Sequence, residues 1–213
     1  MLLALTDHLR CTESHAETWL VARADRAAHG WMIEGVLGCP VCHTERMVRG
    51  GVVFWADGGV RANPAAGPDP ETSIRLAALL GVTDARAPFV LCGAHGVHSA
   101  AIGGMADLTL VLLDPPDDTG AGLATVIRGA PRVPLGERSV QGIALDASHA
   151  AADRIDAAVA VLVHGGRMIA DAGVPVPTGI KELARDAAQW VGERVATSVP
   201  VPLMRAARDT RAT

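Results

Sequence analysis

Two short-range pairs of soft metal-binding side chains stand near the start of this chain. Cys11 and His15 form a C-x3-H pair, and Cys39 and Cys42 form Cys-Pro-Val-Cys, a C-x2-C knuckle. Thiolates and imidazoles on two turns can close a tetrahedral zinc site, and four protein ligands leave no position open for water or substrate, so such a zinc is structural. His43, beside the knuckle, and His8 are the replacement ligands if His15 is not the fourth. Ordinary buried thiols are the competing reading of Cys39 and Cys42. A redox C-x-x-C is disfavoured because no thioredoxin-like βαβ pattern surrounds it.

The stretch from Ala87 to Asp114 offers a different chemistry. An apolar run, Phe89 to Leu91, meets a turn reading Cys92-Gly93-Ala94-His95-Gly96; small residues follow at helical length, and a second apolar run, Leu108 to Leu113, ends in Asp114. The pattern is β-turn-α-β-Asp. A glycine turn lets backbone approach a ligand, and a helix start offers unpaired N–H groups. An acid about 20 residues on, at the end of the next strand, can accept hydrogen bonds from ribose hydroxyls. Cys92, Gly93, Ala94, His95, Gly96 and Asp114 are therefore the candidate cofactor-binding residues. An ordinary βαβ unit without a ligand is the alternative. His95 and His98 read as residues that fill and cap the turn, and Cys92 as a buried thiol on or near the strand.

The elements that must position these groups divide the chain. Residues 1–55 carry short β-like runs and three of the four tryptophans; Thr18 to Ala24 and Gly30 to Leu37 are expected strands, and Arg46 to Trp55 a hairpin turning at Gly50-Gly51. Residues 56–70, dense in Gly, Pro and Ala, read as a linker. An α/β domain over 71–213 follows. Asp69 caps its first helix with Pro70 at the first position, and Gly81 ends it. Later expectations are a strand at Ala124 to Arg128, a strand ending in Asp146, a helix from Asp153 to Leu162 ended by Gly165-Gly166, a strand opening at Arg167 to Ala170, a short helix at Lys181 to Ala188 and a late strand at Trp190 to Val195.

Composition sets the outer limits. At 213 residues and 49% hydrophobic content the chain can bury a full core, which must be aliphatic because there is no Tyr and only two Phe. Its formal net charge of −4 argues against bulk electrostatic capture of nucleic acid, although a local basic face remains open. No apolar run reaches the 18 or so residues that a bilayer crossing needs, and the N-terminus turns polar too soon for a signal peptide, so a cytoplasmic protein without a membrane partner is expected. In that reducing compartment, disulfides are not the expected use of four cysteines.

Two further segments carry a family resemblance. Val133-Pro134-Leu135 with Ser139-Val140-Gln141-Gly142-Ile143 is similar to the "LPLxDGSxDxV" segment of class I S-adenosylmethionine-dependent methyltransferases, and Val161-Leu162-Val163-His164-Gly165-Gly166-Arg167-Met168 resembles their "VLxPGGRL" segment. With the glycine turn and Asp114 they fall in the family's order across residues 72 to about 205. Residues 1–55 resemble the zinc ribbons that precede, or partner, some of these enzymes. The resemblance implies a Rossmann-like α/β methyltransferase sheet behind a small N-terminal β zinc-ribbon, with S-adenosylmethionine as cofactor. The chain also departs from the family. The acid ahead of the glycine loop falls on Leu91, the three glycine positions read Gly93, His95 and Val97, the acid after the third strand falls on Ala130 or Pro131, Gln141 replaces a common Asp and His164 a Pro.

Methyl transfer asks mainly for alignment, since the sulfonium is already activated. The acceptor side of such a fold lies at the carboxyl ends of the strands, which makes Asp146 a candidate to orient an acceptor and His149 a candidate to take its proton. A strand-end cap for Asp146 and a solvated surface imidazole for His149 are the plainer expectations. Three functions follow: a methyltransferase acting on an unknown acceptor, RNA or a small molecule; a methyltransferase-like protein that has lost the cofactor and serves as a binding or scaffold partner; and a nicotinamide enzyme, which lacks the expected G-x-G-x-x-G.

Overall fold

The computed structural model describes residues 1–56, 67–83, 87–116, 119 and 124–196. Most of the expected 56–70 linker, and the tail of the 71–213 domain from residue 197, lie outside the described residues.

Four strands lead: β1 (Val21–Ala28), β2 (Trp31–Gly38), β3 (Glu45–Arg49) and β4 (Val52–Phe54). Helix α1 (Pro70–Leu80) and strand β5 (Phe89–Cys92) follow, then a 3-10 turn at Gly93–His98 continuing into α2 (Ser99–Gly103). Next come β6 (Leu110–Leu113), β7 (Ala124–Arg128), β8 (Val140–Ala144), a 3-10 turn at Ala147–His149, α3 (Ala152–Val161), β9 (Leu162–Asp171), β10 (Ile180–Arg185) and β11 (Gln189–Arg194). They form one sheet in the order β1-β2-β3-β4-β7-β6-β5-β8-β9-β11-β10.

Within it, β7-β6-β5-β8-β9 is parallel and reverses order beside β5, as in doubly wound sheets, while β11 runs antiparallel to β9 and β10. The expected β-turn-α-β-Asp unit is present as β5, the Gly93 turn, α2 and β6. This is a mixed α/β sheet consistent with a methyltransferase-like fold. Its central strands read as continuous apolar runs because both faces are covered. One face packs on Leu76, Ala77 and Leu80 of α1 and Ile102 of α2. The other packs on Met1, Leu5 and Leu9 from the N-terminal segment and on Ile155, Ala158 and Val161 of α3.

The N-terminal strands continue this sheet. β4 pairs in parallel with β7, Val53 opposite Ile127, and Leu37, Val48 and Val53 belong to the same buried cluster as Val111 and Ile127. The hairpin at Gly50-Gly51 forms as expected, both glycines holding positive φ. Helix α1 is capped at both ends as its residues predict: the Asp69 carboxylate accepts from the Thr72 amide, and Gly81 adopts the left-handed conformation at φ 67°.

Two expectations fail. Lys181–Ala188 is not a helix; Ile180–Arg185 is strand β10, paired with β11 through a turn in which the Asp186 carboxylate accepts from the Ala188 and Gln189 amides. Good helix formers are overridden here by an Asx-type turn that folds the segment onto a neighbouring strand. Gly165 and Gly166 do not end α3 either. The helix stops at Val161, and both glycines sit inside β9, where the register against β8 jumps from Val140–Leu162 to Gly142–Arg167. Gly165 at φ 78° supplies the left-handed residue of that irregularity. No helix among the described residues is long and apolar enough to cross a membrane.

Candidate metal centre and the closed crevice

Cys11, His15, Cys39 and Cys42 converge, with one ligand atom from each lying within 4.8 Å of the others. The Cys11 and Cys42 sulfurs are 3.7 Å apart, and His15 Nε2 is 3.2 Å from Cys11 Sγ and 3.4 Å from Cys39 Sγ. A tetrahedron with zinc–sulfur bonds of about 2.3 Å and zinc–nitrogen bonds of about 2.0 Å has edges of roughly 3.5 to 3.8 Å, so the donor set fits a zinc ion.

The surroundings position each of these four side chains. Cys39 and Cys42 sit on the turn between β2 and β3, closed by the Cys39 amide to Thr44 O and the His43 amide to Cys39 O. The Cys11 amide donates to Thr18 O across the neighbouring loop. His15 Nδ1 donates to the Ala16 carbonyl at 2.7 Å, which leaves the Nε2 lone pair for a metal. Trp55 Nε1 donates to Thr12 Oγ1, and Arg46 pairs with Glu13, tying the Cys11–His15 loop to β3 and the end of β4. Burial pushes the Cys11 thiol up to about 11, whereas the Thr44 hydroxyl and amide hold Cys42 down to about 6. His43 is exposed, at φ 58°, outside the cluster, and His8 is also outside it. Of these three histidines, His15 is the one that lies within the cluster.

The glycine turn occupies the expected end of the sheet, and its surroundings are filled by the chain itself. Asp146 caps the 3-10 turn after β8; its Oδ1 accepts from the Ser148 amide and hydroxyl and from His149 Nδ1 at 2.8 Å. Its Oδ2 accepts from the Ala94 amide at 2.8 Å. A Cβ on Gly93, which holds φ 56°, would lie 2.0 Å from that oxygen, so the hollow above the glycine is taken by a carboxylate. A Cβ on Gly96 would lie 2.7 Å from Pro115 Cβ, so this glycine serves close packing of the turn on the loop after β6.

Asp114 ends β6 as expected, but it is 1% exposed and its Oδ1 accepts from the Gly129 amide at 2.6 Å. Its Oδ2 lies 3.8 Å from His149 Nε2, within ion-pair range and too far for a hydrogen bond. His149 is not the surface imidazole expected from its sequence neighbours. It is 3% exposed, its Nε2 has no hydrogen-bond partner, and it bridges Asp146 and Asp114.

Burial opposes the charge on His149, but the two carboxylates outweigh it and raise its pKa. Burial likewise opposes ionisation of Asp146, but hydrogen bonds from His149, the Ala94 amide and Ser148 hold its carboxyl below the usual carboxylate range. Cys92 ends β5 fully buried, where desolvation pushes its thiol well up. Burial pushes His95 down, and His98 is buried with Nδ1 2.9 Å from Ser73 Oγ, fastening the turn to α1. The sequence signal for this network was available in Asp146-Ala-Ser-His149, an Asx turn with a histidine at i+3, but its partners at Ala94 and Asp114 lie far away in the chain.

The filled hollow has a direct consequence. Gly93→Ala is expected to cost about 2 to 4 kcal/mol, because it adds a left-handed penalty of about 1 kcal/mol and expels Asp146 from the Ala94 amide. Urea unfolding of the variant measures it; an unchanged midpoint would mean that Asp146 is not seated there.

No family model matches the chain, and no curated protein does. Parts of it are similar in fold to solved structures. These include the YcgJ protein from Bacillus subtilis, at 17% identity over 47% of this chain and 50% of that one, with a TM-score of 0.37. They also include the antibiotic-resistance methyltransferase Kmr, at 14% identity over 65% of this chain and 99% of that one, with a TM-score of 0.41. A third is the putative methyltransferase yhhF from Escherichia coli, at 15% identity over 65% and 99%, with a TM-score of 0.42. The chain thus spans half the length of the YcgJ protein. Strand order, rather than these partial likenesses, carries the fold.

Proposed function

We propose that the chain is a methyltransferase-like binding or scaffold protein, with a structural zinc in the Cys11, His15, Cys39, Cys42 site and a cofactor crevice occupied from within. One observation carries the reading: the Ala94 amide and the hollow over Gly93, where a ligand would approach backbone, are held by the Asp146 carboxylate. The Asp114 carboxylate, which would meet a ribose, is turned to the Gly129 amide. These residues do not fit S-adenosylmethionine as they stand. Cys92, Gly93, Ala94, His95 and Gly96 therefore serve as an internal seat for Asp146, and His149 as its counter-ion. Zinc, for its part, would tie the loop before β1 to the β2–β3 turn and supply no open coordination position.

Calorimetric titration with S-adenosylmethionine and S-adenosylhomocysteine tests the reading. No saturable heat is expected up to about millimolar ligand, and binding in the micromolar range would overturn it and restore the active methyltransferase with Asp146 and His149 at its acceptor side.

A further inference from the structure

Beyond the crevice and the metal centre, a third group of chemistry-bearing side chains gathers at the other end of the parallel strands. Arg138 lies just before β8, His164 in the irregular opening of β9 and Arg194 at the end of β11. Together with Val195 and Ala196 they line a cleft of about 200 Å³.

Arg194 is its built floor. The half-buried guanidinium donates to Ala160 O at 2.8 Å and to Leu162 O, while the Arg138 and Ser139 amides donate to Ala160 O and Val161 O. The carbonyls that end α3, and that would repel an anion, are thereby already engaged. Capping accounts for Arg194. It does not account for the side chains of Arg138 and His164, neither of which has a hydrogen-bond or ion-pair partner among the described residues.

Arg138 is also one of four non-glycine residues at positive φ, held at 55° by the amide hydrogen bonds on either side of its Cα. Arg138 and Arg194 line the same cleft; burial first, and then the Arg138 charge, push the Arg194 pKa down, with Glu137 the acidic group that offsets it. Like charges held together over a concave surface, with no carboxylate among the cleft-lining residues, favour an anion. Guanidinium forks match the tetrahedral oxygens of a phosphoryl group.

We propose that the Arg138–His164–Arg194 cleft binds a phosphate-type oxyanion, either free or carried as the monoester of a small metabolite. Arg138 and His164 close over the ligand, and Arg194 forms the floor. The site is independent of the crevice and of the metal.

Titrating the purified full chain with inorganic phosphate, and separately with glycerol 3-phosphate, at constant ionic strength set by chloride tests this. One saturable site per chain is expected, weakened about tenfold or more by Arg138→Asn and severalfold by His164→Gln, and unaltered by the remote Arg49→Gln. Asparagine tolerates the left-handed backbone, so loss of binding in that variant reports the guanidinium. His164→Gln gives a second reading if the first variant fails to fold. Saturation by both probes supports a phosphoryl-group site, and saturation by phosphate alone supports the free ion as occupant. No saturable heat from either probe up to about 10 mM, or binding that both variants leave intact, overturns the proposal.

Discussion

Replacing Cys39 and Cys42 together by serine is expected to remove one zinc ion per chain and to unfold the N-terminal strands. Serine keeps the shape of the knuckle but offers a hard hydroxyl that stays protonated near neutral pH, so the site loses two of its thiolates and with them most of its affinity. Structural zinc sites contribute on the order of 10 kcal/mol, comparable with the whole stability of a domain. The damage should not stop at residue 55. Cys39 is 2% exposed within the cluster that also holds Leu37, Val48, Val53 and Ile127, and β4 pairs directly with β7.

Trp55, buried and bonded to Thr12 in the loop that carries Cys11 and His15, should become solvated first. Trp190, fully buried in β11 and donating to Val174 O, reports whether unfolding spreads across the sheet. Metal analysis together with single-tryptophan fluorescence decides the matter. Protein never exposed to chelator and yet free of zinc, or a double variant that melts like the parent, would remove the metal centre from this account.

His149→Gln is expected to destabilise the fold by about 3 to 5 kcal/mol near pH 6, the cost of removing one member of a buried ionic group. Glutamine can still donate to Asp146, but it cannot neutralise that carboxylate and Asp114, the latter fully buried. The parent should also show a pH dependence that the variant lacks. Because the folded-state pKa of His149 is raised, its contribution is complete below the ordinary value of 6.5 and is lost as pH rises through the raised value. Asp146 works in the opposite sense. Its folded-state pKa is lowered, so its contribution is complete above the ordinary 3.8 and is lost as pH falls from there through the lowered value.

Between these limits lies a plateau of maximum stability. Urea midpoints measured from about pH 4 to pH 9 in parent and variant give the comparison. If the two curves run parallel on the alkaline side, His149 is not charged inside the fold.

Much of this was legible locally. The strands on either side of the glycine turn are apolar runs of four residues, Asp69, Pro70 and Gly81 bracket α1 by their own backbone chemistry, and two glycines announce the β3–β4 hairpin. Each of these signals depends on residues within a few positions of one another. The Lys181–Ala188 misreading shows where such signals stop: helix propensity is worth tenths of a kcal/mol per residue, less than pairing with β11 across the Asp186 turn provides.

The sequence by itself determined which chemistries were available: three thiols and an imidazole at zinc spacings, a glycine turn on a buried strand, and a carboxylate at each of two strand ends. Only the tertiary structure decided how they were used. It brought His15, not His43, to the three thiols, extended the parallel sheet with the N-terminal strands, and turned Asp146 onto an amide 52 residues away, with His149 buried between two acids. The physical reason is separation along the chain. A residue's type and neighbours set what its side chain can do, whereas burial and partner are set by strands that meet across tens of residues, and no local pattern records that meeting.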